Sequence, residues 1–319
     1  MRTLVIICGL TASLLAQVQN RIVSAGYEIP TYPSVAPGQV ITLFVRGLNV
    51  PDAFASGTPL PTTLSGITVR VKSSIQNHSD RLPIFSVRSY DSCSGRLGVP
   101  CPLTHVTVQI PTDPTCVLSF PNDCASHPPP LIVLTVEQSG VAGDEFPVFV
   151  TAGDPHILNT CDTIFGTIGG PGCYPVVARA DGNLVGPICV NPAKPGESIV
   201  IYAVGLGGRR VPVMTAQPAS SSPTATHPTI PLLLSFRLTE PPGSPAPPAV
   251  WSPMPQWVYA DYIGLVPGYV GLYQINFTVP ATLPPNLMDS TPNMRIQIGS
   301  DGLEPPSSGT FVDICVRPQ

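Results

Sequence analysis

Proline interrupts most of the windows in which this chain could form a helix. There are 42 prolines in 319 residues, well over twice the usual share of about 5%, and each removes a backbone donor and clashes with the preceding turn. What stands between the prolines has a period of two. Ile67, Val69 and Val71 alternate with Thr68, Arg70 and Lys72, and Val106, Val108 and Ile110 alternate with Thr107 and Gln109. Tyr273, Ile275, Phe277 and Val279 alternate with Gln274, Asn276 and Thr278. Successive strand side chains point to opposite faces, so each run has one face for a core and one for water. Many short strands joined by Pro- and Gly-rich turns predict an all-β chain of sandwiches.

An internal repeat divides those strands into two sets. PGQVITLFVRGL from Pro37 matches PGESIVIYAVGL from Pro195 without a gap. HVTVQIP, ending at Pro111, matches YQINFTVP, ending at Pro280, and LIVLTV at 131–136 matches NMRIQI at 293–298. Each set then closes on another apolar run, FPVFV at 146–150 and FVDICV at 311–316. The order is kept while the offsets vary, so insertions fall between strands, as in two copies of one unit. The expected organisation is a signal peptide at 1–16, a first sandwich at 17–152, a connector at 153–185 and a second sandwich at 186–319. Low-complexity insertions such as ASSSPTATHP and TEPPGSPAPPAV interrupt the second sandwich.

The first sixteen residues carry one Arg, an apolar run from Thr3 to Leu15 and then Ala16, the layout of a secretory signal. No later run reaches the length needed to span a bilayer, so no anchor is expected in the mature chain and the location is secreted or cell-surface. Without Cys8, eight cysteines remain: Cys93, Cys101, Cys116, Cys124, Cys161, Cys173, Cys189 and Cys315. An even number in an exported chain reads as four disulfides, with about a hundred connectivities open. Proximity favours Cys93–Cys101, Cys116–Cys124 and Cys161–Cys173, which leaves Cys189–Cys315 to tie the start of the second unit to its last strand. Zinc is the rival reading, but no C-x-x-C pair occurs and the five histidines are scattered. A net charge of −4 offers no footprint for nucleic acid.

The candidate binding face lies in the second unit. Both tryptophans and four tyrosines fall between 251 and 273. Trp251, Trp257, Tyr259, Tyr262 and Tyr269 form either a platform for sugar or peptide or part of a core and hairpin, and aromatic strands are usually packed. Within this region Val266-Pro267-Gly268-Tyr269 has Pro and Gly at the central positions of a type II turn.

The segment YIGLVPGYVGLYQINFTVP resembles the signature of a family of domains at the C-termini of secreted acidobacterial (Solibacter-type) proteins. Pro192-Ala193-Lys194-Pro195-Gly196-Glu197 and Tyr202 through Gly207 resemble its companion motif, and Ala36-Pro37-Gly38 with Gly47-Leu48 resembles its opening strand. The likeness spans most of the mature chain and implies an immunoglobulin-like fold. The family has no established activity, so it carries over no catalytic residue.

Catalytic signatures are missing from the sequence. GTIGGPG at 166–172 lacks the Lys-Ser/Thr of a phosphate loop, and no G-x-S-x-G elbow or calcium loop occurs. Asp144-Glu145 precedes a strand and reads as solvated. Asn77-His78-Ser79 and Asn276-Phe277-Thr278 match the glycosylation pattern. The expected function is a non-enzymatic extracellular module that binds a polymer or protein, with carbohydrate as the narrower form and no cofactor or metal. The alternative is a hydrolase whose active site is dispersed along the chain.

Overall fold

Edge pairing shows how the strands are joined. A computed structural model describes residues 20–27, 30–31, 34–73, 79–90, 102–111, 131–151, 153–165, 173–186, 189–207, 215–222, 231–239, 249–252, 256–288, 291–298 and 311–317. Among these residues the chain is all-β apart from one 3-10 turn at Thr163–Phe165. The strands form four sheets, two per unit, packed as two tandem immunoglobulin-like sandwiches.

In the first unit, sheet I runs in the order Pro30–Thr31, Arg21–Gly26, Val40–Arg46, Leu103–Gln109, Ile84–Tyr90, Ala53–Phe54. Sheet II runs Ser34–Val35, Phe146–Val150, Leu131–Gln138, Ile67–Ser73, Ser79–Arg81. After the Arg21–Gly26 strand the chain crosses to sheet II, where Ser34–Val35 pairs parallel with Phe146–Val150. The inward residues of both sheets, among them Leu43, Val69, Val106 and Leu134, are fully buried in one core. Burial of this kind contributes about 1.5–3 kcal/mol per large aliphatic side chain.

In the second unit, sheet III runs His156–Ile157, Ser198–Val204, Tyr273–Thr278, Tyr262–Leu265, with Val177–Arg179 also on Ser198–Val204. Sheet IV runs Ala249–Trp251, Pro231–Thr239, Met294–Ile298, Phe311–Ile314, with Gln256–Tyr259 also on Pro231–Thr239. This unit repeats the pattern of the first in register. In sheet I, Val40 pairs with Gln109 and Ile41 with Val108; in sheet III, Ser198 pairs with Thr278 and Ile199 with Phe277. Likewise Ile132 faces Val148 in sheet II, and Met294 faces Ile314 in sheet IV. The parallel contact of Val35 with Val150 returns as the bridge from Ala193 to Val316. The structure also adds a correspondence that is not legible in the letters. Leu134 pairs with Val71 as Ile296 pairs with Leu234, so Pro231–Thr239 is the counterpart of Ile67–Ser73. PLLLSFRLT and ITVRVKS share a burial period and almost no residues, which is why comparing the sequences passes over them.

Residues 153–185 supply the strands His156–Ile157 and Val177–Arg179, both paired with Ser198–Val204 in sheet III. The loop between them is closed by the Cys161–Cys173 bond. Cys189–Cys315 is also formed, beside the Ala193–Val316 bridge. The pairs Cys93–Cys101 and Cys116–Cys124 lie outside the described residues, as does the signal segment.

The two units meet along the outer face of sheet I. Leu158, Ile164, Val204 and Leu272 of the second unit join the first unit's core cluster, and Leu60 packs with Ala216 and Val270. The Ala216 amide donates to Gln109 Oε1 at 2.8 Å, and the Leu60 amide donates to the Ala216 carbonyl at 3.0 Å. Gln39 donates from Nε2 to Tyr27 Oη at 2.8 Å and to the Asp154 carbonyl at 3.1 Å. Burial raises the pKa of Asp154 and, more strongly, that of Tyr27. A contact of this breadth makes the pair of sandwiches one packed body.

Candidate functional site

The region around Tyr262–Pro280 divides between two roles. Gly268 has φ of +79° and the Tyr269 amide donates to the Val266 carbonyl at 3.1 Å, as a type II turn at Val266–Tyr269 requires. Downstream, Tyr273, Ile275 and Phe277 are buried in the second core, and Tyr273 Oη donates to the Gly207 carbonyl at 2.9 Å. The turn itself faces the first unit. Leu272 packs into the first unit's core, and Gly271, with φ of +68°, lies so near the Pro37-Gly38 turn that a Cβ there would be 2.8 Å from the Gly38 carbonyl oxygen. Only glycine combines that conformation with that approach. The part of the signature that reads as a hairpin is thus the joint between the two sandwiches.

The five aromatic candidates fall in three places. Tyr269 is 54% exposed at the joint. Tyr262 belongs to sheet III, paired with Asn276, and its phenol oxygen and Asn276 Oδ1 are both buried without a hydrogen-bond partner. Burial raises the Tyr262 pKa. Asn276, one of the two sequon asparagines, therefore sits in the middle of a paired strand, while Asn77 lies outside the described residues. Trp251, Trp257 and Tyr259 share a single surface, the outer face of sheet IV.

Register defines that surface. Trp257 pairs with Leu233, Leu233 with Gln297 and Gln297 with Phe311, so these four form one row across the sheet. Tyr259, two residues from Trp257, is on the same side, opposite Pro231. A second row holds Ser235, Arg295 and Asp313, and a third holds Arg237 and Trp251. Even-numbered neighbours such as Leu232, Leu234 and Ile296 point into the core. Trp257 is 61% exposed, Tyr259 67% and Phe311 40%.

One ion pair on this face is internally balanced, and Arg237, in the row of Trp251, adds a further positive charge away from the rows of Trp257 and Tyr259. Arg295 donates from Nε to Asp313 Oδ1 at 2.7 Å and from Nη2 to Oδ2 at 2.8 Å, a bidentate pair. These hydrogen bonds raise the Arg295 pKa further. Its guanidinium lies 4.4 Å from the Trp251 ring centre and 4.2 Å from that of Phe311. Stacking between two aromatic faces fixes the guanidinium and holds both rings in place. Phe311, Arg295 and Asp313 were not singled out in the sequence. The signal available there was the alternation of MRIQI and FVDI, which puts all three on one side, and only the register joins them to Trp251.

A carboxylate–imidazole pair, the kind a hydrolase reading looks for, lies at the joint. His156 Nε2 and Asp162 Oδ2 share a hydrogen bond of 2.8 Å, and Asp162 also accepts from the Asn159 amide at 2.7 Å. The His156 ring is stacked on Tyr27, with centroids 3.5 Å apart and planes 6° from parallel. Thr163 Oγ1 donates to the Tyr27 carbonyl at 2.8 Å. Both partners of the pair thus serve to fasten the 153–165 segment onto the first unit.

His105, on the outer face of sheet I, gives a prediction in pH. It lies between Phe44 and Tyr90, 6% exposed, and its Nε2 has no hydrogen-bond partner. Burial, with the nearby Arg88 charge, lowers its pKa to about 4. The unfolded chain, with its ordinary value near 6.5, binds the proton first as pH falls, so stability rises with pH across the window from 4 to 6.5. The expected loss on acidification from pH 7 to 4 is about 3 kcal/mol from this residue. Asp154 acts in the opposite sense just above the ordinary carboxylate range, because its folded pKa is raised. Urea midpoints from pH 4 to 7 for wild type and His105→Phe test the effect. The variant should be less pH-dependent by that amount, and equal slopes would refute it.

No protein-family model matches the chain, and no curated protein matches it. Among solved structures the chain is similar to "DIP-gamma IG1+IG2", with 9% identity over 92% of this chain and 97% of that one and a TM-score of 0.17. It is also similar to the C-terminal domain of the AgI/II polypeptide BspA of Streptococcus agalactiae, with 10% identity over 91% and 99% and a TM-score of 0.15. The immunoglobulin-like assignment rests on the pairing of the four sheets.

Proposed function

We propose that this chain is a secreted, non-enzymatic binding module whose ligand face is the outer surface of sheet IV. The observation that carries the reading is that Trp257 and Tyr259 stand more than half exposed on one side of one strand. Leaving large aromatic rings in water is unfavourable and, when they are grouped, marks an interaction surface. Two formed disulfides suit an oxidising compartment. No helix among the described residues is long and apolar enough to cross a membrane. The organisation into signal, first sandwich, connector and second sandwich belongs to the same proposal, as does the resemblance to the acidobacterial C-terminal domain family. Carbohydrate is the narrower ligand class.

The test is binding of the labelled, oxidised full chain to arrays of glycans and of extracellular proteins. Trp257→Ala/Tyr259→Ala should keep the wild-type circular dichroism and lose binding by about tenfold or more, the equivalent of roughly 1.4 kcal/mol. Unchanged binding by the double variant would move the site elsewhere. Release of cleaved products from the array would favour the hydrolase reading.

A further inference from the structure

We infer that the ligand of the sheet IV face is an uncharged polysaccharide, its sugar rings stacked on Trp257 and Tyr259; this rests on the binding-module reading above. Trp257 and Tyr259 are alternate residues of Gln256–Tyr259, so their rings project from one side of the strand roughly 7 Å apart. Val258 between them packs on the second core and fixes the side to which the rings point. A pair of rings at that separation suits consecutive units of a polymer. A pyranose presents an apolar C–H face to an aromatic ring and a rim of hydroxyls to polar neighbours.

The polar neighbours are of the required kind. Gln297 lies in the row of Trp257, and Ser235 in the adjacent row, both on the outer side. An amide and a hydroxyl donate to and accept from sugar hydroxyls without asking for charge. A protein-binding patch instead centres on contiguous apolar side chains that exclude water. Here Leu233 alone separates Trp257 from the amide of Gln297.

Charge decides between neutral and acidic polymers. Arg295 would be the natural partner of an anionic sugar, but its two hydrogen bonds to Asp313 and its two ring contacts already occupy it. Displacing Asp313 would leave that carboxylate unpaired beside the ligand. Arg237, in the row of Trp251, donates to Thr291 Oγ1 at 3.4 Å. The rows holding Trp257 and Tyr259 contain no charged side chain among the described residues. A neutral chain complements such a surface, and an acidic one does not.

The experiment is affinity electrophoresis of the full oxidised chain in gels containing neutral soluble polysaccharides (hydroxyethylcellulose, xyloglucan, galactomannan) or acidic ones (polygalacturonate, alginate). Each is run at low and high salt. Retardation by at least one neutral polymer, insensitive to salt, is expected. Trp257→Ala should weaken it about tenfold or more, while Trp257→Phe, which keeps a ring, should retain most of it. Retardation by acidic polymers alone with loss in high salt, or retardation by a neutral polymer unaffected by Trp257→Ala, would overturn the inference. So would self-association abolished by Trp257→Ala without retardation by any polymer, which would make a second copy the occupant. If no polymer retards the chain but a protein on the array still binds in a Trp257-dependent way, the polysaccharide falls and the binding-module reading stands.

Discussion

Gly205→Ala is expected to destabilise the protein by about 4 kcal/mol, lowering the melting temperature by roughly 10 °C. Gly205 has φ of +78°, and a Cβ built on it would lie 2.1 Å from the Asp154 carbonyl oxygen and 2.9 Å from the amide of Gln39. The backbone cannot yield cheaply, because the Asp154 amide donates to the Gly205 carbonyl at 2.8 Å and Gln39 holds the Asp154 carbonyl from the other side. Gly196 is the matching control. It also has a positive φ, of +74°, but nothing lies within 4 Å of the position a Cβ would take. Gly196→Ala should therefore cost only the left-handed conformation, about 1–2 kcal/mol. Calorimetry of the two variants separates conformation from collision. Equal melting temperatures would show that the Asp154 backbone yields to the added methyl group at no cost.

Removing the Cys189–Cys315 bond is the second large change. It joins residues 126 apart, and loop-closure entropy puts its contribution at about 5 kcal/mol as an upper value. Cys315 is 1% exposed and its carbonyl accepts from the Ala193 amide at 2.8 Å, so the bond lies where the unit's first and last segments already meet. Cys189→Ala/Cys315→Ala should destabilise the protein by about 2 kcal/mol more than Cys161→Ala/Cys173→Ala, read as a lower urea midpoint. The latter bond spans only 12 residues and contributes about 3 kcal/mol on the same basis. A Cys161/Cys173 variant as damaged as the other would show that the 161–173 loop matters through its packing on the first unit rather than through chain entropy.

Several elements were legible because their cause is local. Tyr273, Ile275 and Phe277 alternate with Gln274, Asn276 and Thr278 because one face of their strand is fully covered, and Gly268 follows Pro267 because a type II turn needs a positive φ there. Thr107 and Gln109, expected to face water, are instead buried, because the second unit packs on the outer face of sheet I. The repeated Gly-Leu pairs at 47–48 and 205–206 mark strand ends where the first residue turns left-handed, with φ of +90° and +78°. The binding face was only partly legible. Trp257 and Tyr259 were singled out with Tyr262 and Tyr269 because all are close in sequence, yet the chain passes from sheet IV to sheet III at residues 260–261. Aromatic density along a chain does not say which sheet each residue joins.

By itself the sequence determined that this chain folds as β-sandwiches in two similar copies, because side-chain period, proline placement and turn glycines act within a few residues of one another. Tertiary structure alone decided that Gly271 belongs to a joint between the copies and that Trp257 shares a surface with Phe311. Those relations depend on strand pairing and sandwich packing between residues far apart in the chain. No local pattern encodes which distant backbone will arrive against a given glycine or ring.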